Sequence, residues 1–141
     1  MSFDLMVFDL ENAPKNRQEF VAWYEVQTNW SKVETSFDSK IASPTLQEWF
    51  QKIADKYPPM NGPLAPDGDD IENLADYTIT QNIIYAAFSW DNAEGAYSLA
   101  KELASELNVG FYDVSSPNGE IILGNISINE ETPNKEWWKF W

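Results

Sequence analysis

The chain of 141 residues contains no cysteine and no histidine. Without cysteine there can be no disulfide, no zinc–thiolate centre and no thiol nucleophile. Without histidine the usual general base near neutral pH is missing, as is the commonest transition-metal ligand. Bases are scarce too: 9 Lys and Arg stand against 23 Asp and Glu, a net charge of −14. Such a charge opposes non-specific binding to nucleic acid or to an anionic membrane and favours a basic partner. The six glycines never fall into a G-x-G-x-x-G or P-loop pattern, so nucleotide binding has no support. The longest apolar run, Ile83 to Phe88, is far too short to span a bilayer. The start, MSFDLMVFDLENA, lacks a basic segment and carries Asp4 and Asp9, which does not read as a signal peptide. A cytoplasmic location is the expectation.

Aromatic residues are abundant: seven Trp, eight Phe and six Tyr, enough to build a core despite the charge. The length suits one domain. Its clearest stretch runs from Asn82 to Val114. NIIYAAFSW reads as a strand, and DNAEGAYSLAKELASEL repeats Ala93, Ala96, Tyr97, Ala100, Leu103, Ala104 and Leu107 at helical spacing. Asp91 is the expected N-cap, with Asn108 and Gly110 suited to ending the helix. NVGFYDV then returns to strand character.

Phe3 to Leu10 alternates as a first strand. A helix is expected from Pro14 to Trp30, with Phe20, Trp23, Tyr24 and Gln27 near one face. Ser43-Pro44 opens another, with Leu46, Trp49, Phe50, Ile53, Ala54 and Tyr57 as its apolar stripe. Tyr77 to Thr80 and the strand at Ile83 suggest a hairpin turning at Gln81-Asn82. Glu120 to Leu123 suggests a second hairpin with Val109 to Val114. The order is strand, two helices, two strands, helix, strand, strand. It predicts an α+β fold, ferredoxin-like (split β-α-β) or a related mixed or antiparallel sheet with helices on one face. A single domain is expected over residues 1–124. The tail, 125–141, ends in Trp137, Trp138, Phe140 and Trp141. It is expected to pack on the same chain, with a partner-binding or self-associating surface as the alternative.

The irregular segment PPMNGPLAPDGDDIENLA, Pro58 to Ala75, leads into the candidate site. Asp67, Asp69, Asp70 and Glu72 fall within six residues, with Asp76 just beyond. A calcium loop of the EF-hand type does not fit: counting from Asp67, the sixth position is Glu72 instead of Gly and the twelfth is Thr78 instead of Glu. No Lys or Arg occurs from Tyr57 to Ala100, whereas seven acids do. Segregated charge favours a docking patch for a basic protein, set against the plainer reading of a solvated acidic loop. Asp67, Asp69, Asp70, Glu72, Asp76 and Tyr77 are the candidate partner-binding residues, with Trp30 and Phe37 as further anchors. No catalytic residue, metal ligand or cofactor is assigned. The competing enzymatic reading is a carboxylate- or metal-dependent hydrolase, the carboxylates paired among Asp4, Asp9, Glu11 and Asp113, with Asp9 and Asp113 approaching at neighbouring strand ends. A further alternative is a stand-alone regulatory module.

The pieces MSFDLMVFD, AWYEVQTNW, PPMNGP and VGFYDVSS, spread over residues 2 to 116, resemble a family of small acidic bacterial proteins of unassigned activity. Some members of that family look like the immunity proteins encoded beside polymorphic toxins. The resemblance implies an immunity role, and with the net charge and its segregation it suggests a non-enzymatic protein that neutralises a cognate toxin by covering a basic surface. It supplies no catalytic residues.

Overall fold

Strand β1 (Phe3–Phe8) occupies the middle of one antiparallel sheet, ordered β2-β3-β1-β4-β5-β6. A computed structural model describes residues 2–67, 72–116, 119–124 and 126–128. Strand β2 is Asp76–Ile79, β3 Ile83–Phe88, β4 Gly110–Tyr112, β5 Ile121–Leu123 and β6 Ile126–Ser127. The helices are α1 (Arg17–Gln27), α2 (Pro44–Ala54) and α3 (Ala93–Leu107). The sheet therefore continues past residue 124, where β6 pairs with β5.

Alternation along β1 divides its side chains between two faces. Phe3, Leu5 and Val7 meet Leu46, Trp49, Phe50 and Ile53 of α2 and Ala96, Ala100 and Leu103 of α3. Met6 and Phe8 meet Phe20 of α1, with Trp23 and Tyr24 packed alongside. Two helices thus share one face, but α1 covers the other, so the helices do not all lie on one face as the sequence suggests. The physical reason is that β1 is apolar on both sides: Leu5, Met6, Val7 and Phe8 are all completely buried. A strand with two apolar faces needs a covering layer on each. The order β2-β3-β1-β4 is the one that interleaved split β-α-β units produce. The helix on the second face and the added β5–β6 ribbon depart from the ferredoxin-like plan.

Helix α1 is shorter than the expected Pro14–Trp30 segment. It starts where Asn16 accepts a hydrogen bond from the Glu19 amide, 2.8 Å. It ends where both the amide and the hydroxyl of Thr28 bond the Tyr24 carbonyl. In α2, Pro44 takes the first turn as expected, and the indole of Trp49 donates to the Ala100 carbonyl of α3 at 3.2 Å. The N-cap of α3 is Asn92, not Asp91, because Ser89 first caps a 3-10 turn over Trp90–Asn92. At its other end Asn108 is left-handed, φ 58°, and stops the helix. Gly110 has another task. A Cβ there would lie 2.1 Å from the Phe8 ring, so the glycine makes room for Phe8 between β1 and β4.

The β2–β3 hairpin closes through Thr80. Its amide bonds the Ile83 carbonyl at 2.9 Å, and its hydroxyl accepts from the amides of Asn82 and Ile83. In the β4–β5 hairpin, Asp113 donates its amide to the Glu120 carbonyl.

Candidate functional site

Three connected pieces form the outer edge of the sheet at β2. Beyond β2, Ser36 bridges Ile79: each amide donates to the other's carbonyl, at 2.8 and 3.1 Å. At the opposite end of β2, the Ala75 amide donates to Pro58 and the Met60 amide to Ala75, so the ends of the 60–74 loop are tied together. The loop and the 35–37 segment meet where Gly62, at φ 91°, lies against Phe37. A Cβ on Gly62 would sit 2.3 Å from the Phe37 carbonyl oxygen. Only glycine allows both that backbone angle and that approach.

Of the candidate binding residues, Asp67, Glu72 and Asp76 are exposed, and Asp76 opens β2 on this edge. Asp69 and Asp70 lie outside the described residues. Tyr77 is 2% exposed. Its hydroxyl donates to the Tyr57 carbonyl at 2.7 Å, and its ring packs edge-on against Phe50 and Phe88. It belongs to the core, because successive residues of β2 alternate faces and Tyr77 points toward α2. Its acidic neighbour Asp76 faces the other way.

That opposite face holds a recess of about 450 Å³ lined by Trp30, Thr35, Ser36, Phe37 and Thr78. Trp30 and Phe37 are 41% and 48% exposed. The Trp30 ring stands edge-on to Tyr85, centroids 5.8 Å apart. Tyr85 in turn donates its hydroxyl to Asp4 Oδ2 at 2.5 Å, and Ser2 donates to Asp4 Oδ1. Burial, followed by the hydrogen bond to Asp4, pushes the Tyr85 phenol well above its ordinary value, so it remains a neutral donor. The β1–β3–β2 register sets Asp4 and Asp76 on either side of Ala87. With two strand spacings between them they are roughly 10 Å apart on one face. Asp4 thus joins an acidic, aromatic surface with Asp76, Trp30 and Tyr85. Sequence reading assigned Asp4 to the enzymatic alternative because its neighbour across the sheet depends on a register that spacing does not reveal.

The carboxylate pair of that alternative does not form. Phe8 pairs with Gly110 and Met6 with Tyr112, so Asp9 leaves β1 beside the start of β4, while Asp113 leaves β4 beside Leu5. Four strand residues, roughly 13 Å, separate them. Asp9 instead caps the turn after β1 by accepting from the Glu11 amide. Asp113 Oδ2 accepts from Ser116, while Asp113 Oδ1 is buried without a hydrogen bond. Among the described residues no three Asp or Glu side chains are grouped so as to hold a metal ion. A separate cluster on the α3 side joins Tyr97, Glu120 and Lys101, the last two at 3.0 Å. Burial raises the Glu120 carboxyl above its ordinary range.

These features define an α+β protein with a helix-covered antiparallel sheet and an acidic, aromatic edge. No protein-family model, curated protein or solved structure matches the chain. No helix among the described residues is long and apolar enough to cross a membrane.

Proposed function

We propose that the chain is a non-enzymatic acidic binding protein of the cytoplasm, an immunity protein that neutralises a cognate bacterial toxin by occluding a basic surface. One observation carries the reading. The segment from Tyr57 to Ala100 has seven acids and no base; Asp76 lies on β2, two residues from the Thr78 that lines the recess of Trp30 and Phe37, and Asp67 and Glu72 are exposed in the loop leading into that strand. A coherent negative field speeds encounter with a basic partner, and a few buried aromatic anchors slow release. The resemblance to small acidic bacterial proteins, some of them immunity-like, supports the same reading.

The test is co-expression with the product of the neighbouring reading frame. The expected result is a tight one-to-one complex with a basic, growth-inhibiting polypeptide and relief of its toxicity. Unchanged toxicity with no complex would overturn the reading. Charge reversal at Asp67 and Glu72 is expected to slow association and flatten its dependence on salt. An unaltered rate and salt response would move the contact surface elsewhere.

A further inference from the structure

We infer that the recess between Trp30 and Phe37 is an arginine-binding pocket, the seat of one guanidinium side chain from a basic protein partner. The inference rests on the proposed toxin-binding role and names the contact that role would use. Two exposed aromatic rings flank the recess, Thr35, Ser36 and Thr78 line it, and its volume is about 450 Å³. A guanidinium is flat, stacks on aromatic faces, is weakly hydrated and carries five donors for hydroxyl and carboxylate acceptors. The charge around the recess is complementary. Asp76 lies two residues from Thr78 on the same face of β2, Asp4 follows across Ala87, and exposed Glu34 adjoins Thr35. Lys32 and Lys40, both exposed, are the bases of the neighbouring segment, and neither lines the recess.

The walls are held in place before any ligand arrives. Trp30 rests on Tyr85, which is fixed to Asp4. The backbone and Cβ of Phe37 lie against Gly62, which fixes where its ring starts, and Ser36 is locked to Ile79. A preformed wall spares the ordering cost that a mobile side chain would incur on binding. Two other recesses are less suited. One, lined by Gln27, Val33, Glu34, Ile41 and Thr80 to Asn82, has no aromatic ring. The other, against α3 and β5, presents Lys101.

The test uses the full chain and a blocked pentapeptide containing arginine, with lysine and norleucine counterparts as controls. Amide and indole shifts are followed by NMR at low salt. The expected result is a saturable shift of the Trp30 indole and of the Ser36 and Thr78 amides, strongest with arginine. It should weaken about tenfold in the Trp30→Ala/Phe37→Ala variant, as loss of two interface anchors implies. Both side chains are well exposed, so that variant should fold, and an unchanged thermal midpoint would verify it. Equal shifts with norleucine, shifts spread over all exposed acids, or concentration-dependent shifts without peptide would each overturn the inference. The first outcome would indicate an apolar occupant, the second diffuse electrostatics, the third a second copy. Toxin neutralisation that survives in the double variant would overturn the pocket alone. Peptide binding without any toxin to neutralise would overturn the immunity reading alone.

Discussion

At the scale of single residues, close approach governs more than residue type suggests. Gly110 reads as a helix stop, yet its hydrogen side chain is what leaves room for the Phe8 ring against β4. Phe8 is completely buried and touches Phe20 and Trp23, so it has no free space to retreat into. Gly110→Ala is therefore expected to cost about 1–3 kcal/mol in urea unfolding, the usual penalty for overpacking. Adding Phe8→Leu should recover part of the loss, and an unchanged midpoint for the single variant would contradict the account. Asn108 is a different case, since its left-handed φ of 58° is a backbone requirement with little packing. Asn108→Gly should be tolerated, whereas Asn108→Ala should lose roughly 1 kcal/mol. Equal stability of the two variants would refute the helix-stop role.

At the scale of elements, α1 is the informative one. Its polar residues outnumber its anchors, and Phe20 is the one residue in it that is fully buried. That ring meets Phe8, Trp23 and Tyr112 at centroid distances of 4.9 to 5.6 Å, and so joins the helix to β1 and β4. Phe20→Ala should cost about 3–5 kcal/mol, while Val26→Ala on the exposed side should change stability by less than about 0.5 kcal/mol. Thermal or urea unfolding of the two variants decides it. A small loss for Phe20→Ala would mean that α1 is not a structural layer of the sheet. The sequence does show the α1 anchors, Phe20, Trp23 and Tyr24, at the right spacing. Which face of the sheet they cover is not visible, because a 3.6-residue stripe identifies the buried side of a helix without naming what buries it.

At the scale of the whole molecule, ionisation links the core to pH. Tyr24, Tyr57, Tyr77, Tyr85 and Tyr112 are all shifted above the ordinary 10.0, burial being the largest cause in each. A folded-state value above the unfolded one stabilises the fold below about pH 10, and that contribution disappears as pH rises through the folded values. Alkaline titration followed at the phenolate absorbance should show these tyrosines ionising late and together with loss of tertiary structure. Ionisation of all tyrosines near pH 10 in a chain that stays folded would contradict the burial described here. At the surface, Lys101 of α3 and Glu120 form an ion pair at 3.0 Å.

Sequence alone determined the composition-level exclusions, the antiparallel α+β class, the α2 and α3 core stripes and both hairpins. Those follow from local periodicity and turn chemistry, which act over a few neighbouring residues. Tertiary structure alone decided that α1 takes the second face, that Tyr77 turns inward, that Asp9 and Asp113 stay apart, and that Asp4 and Asp76 flank one surface. Each of these depends on strand register and on which layer covers which face. Those are contacts between separate elements, as in the Asp4–Tyr85 bond across 81 positions, and no local pattern of side chains encodes such a pairing.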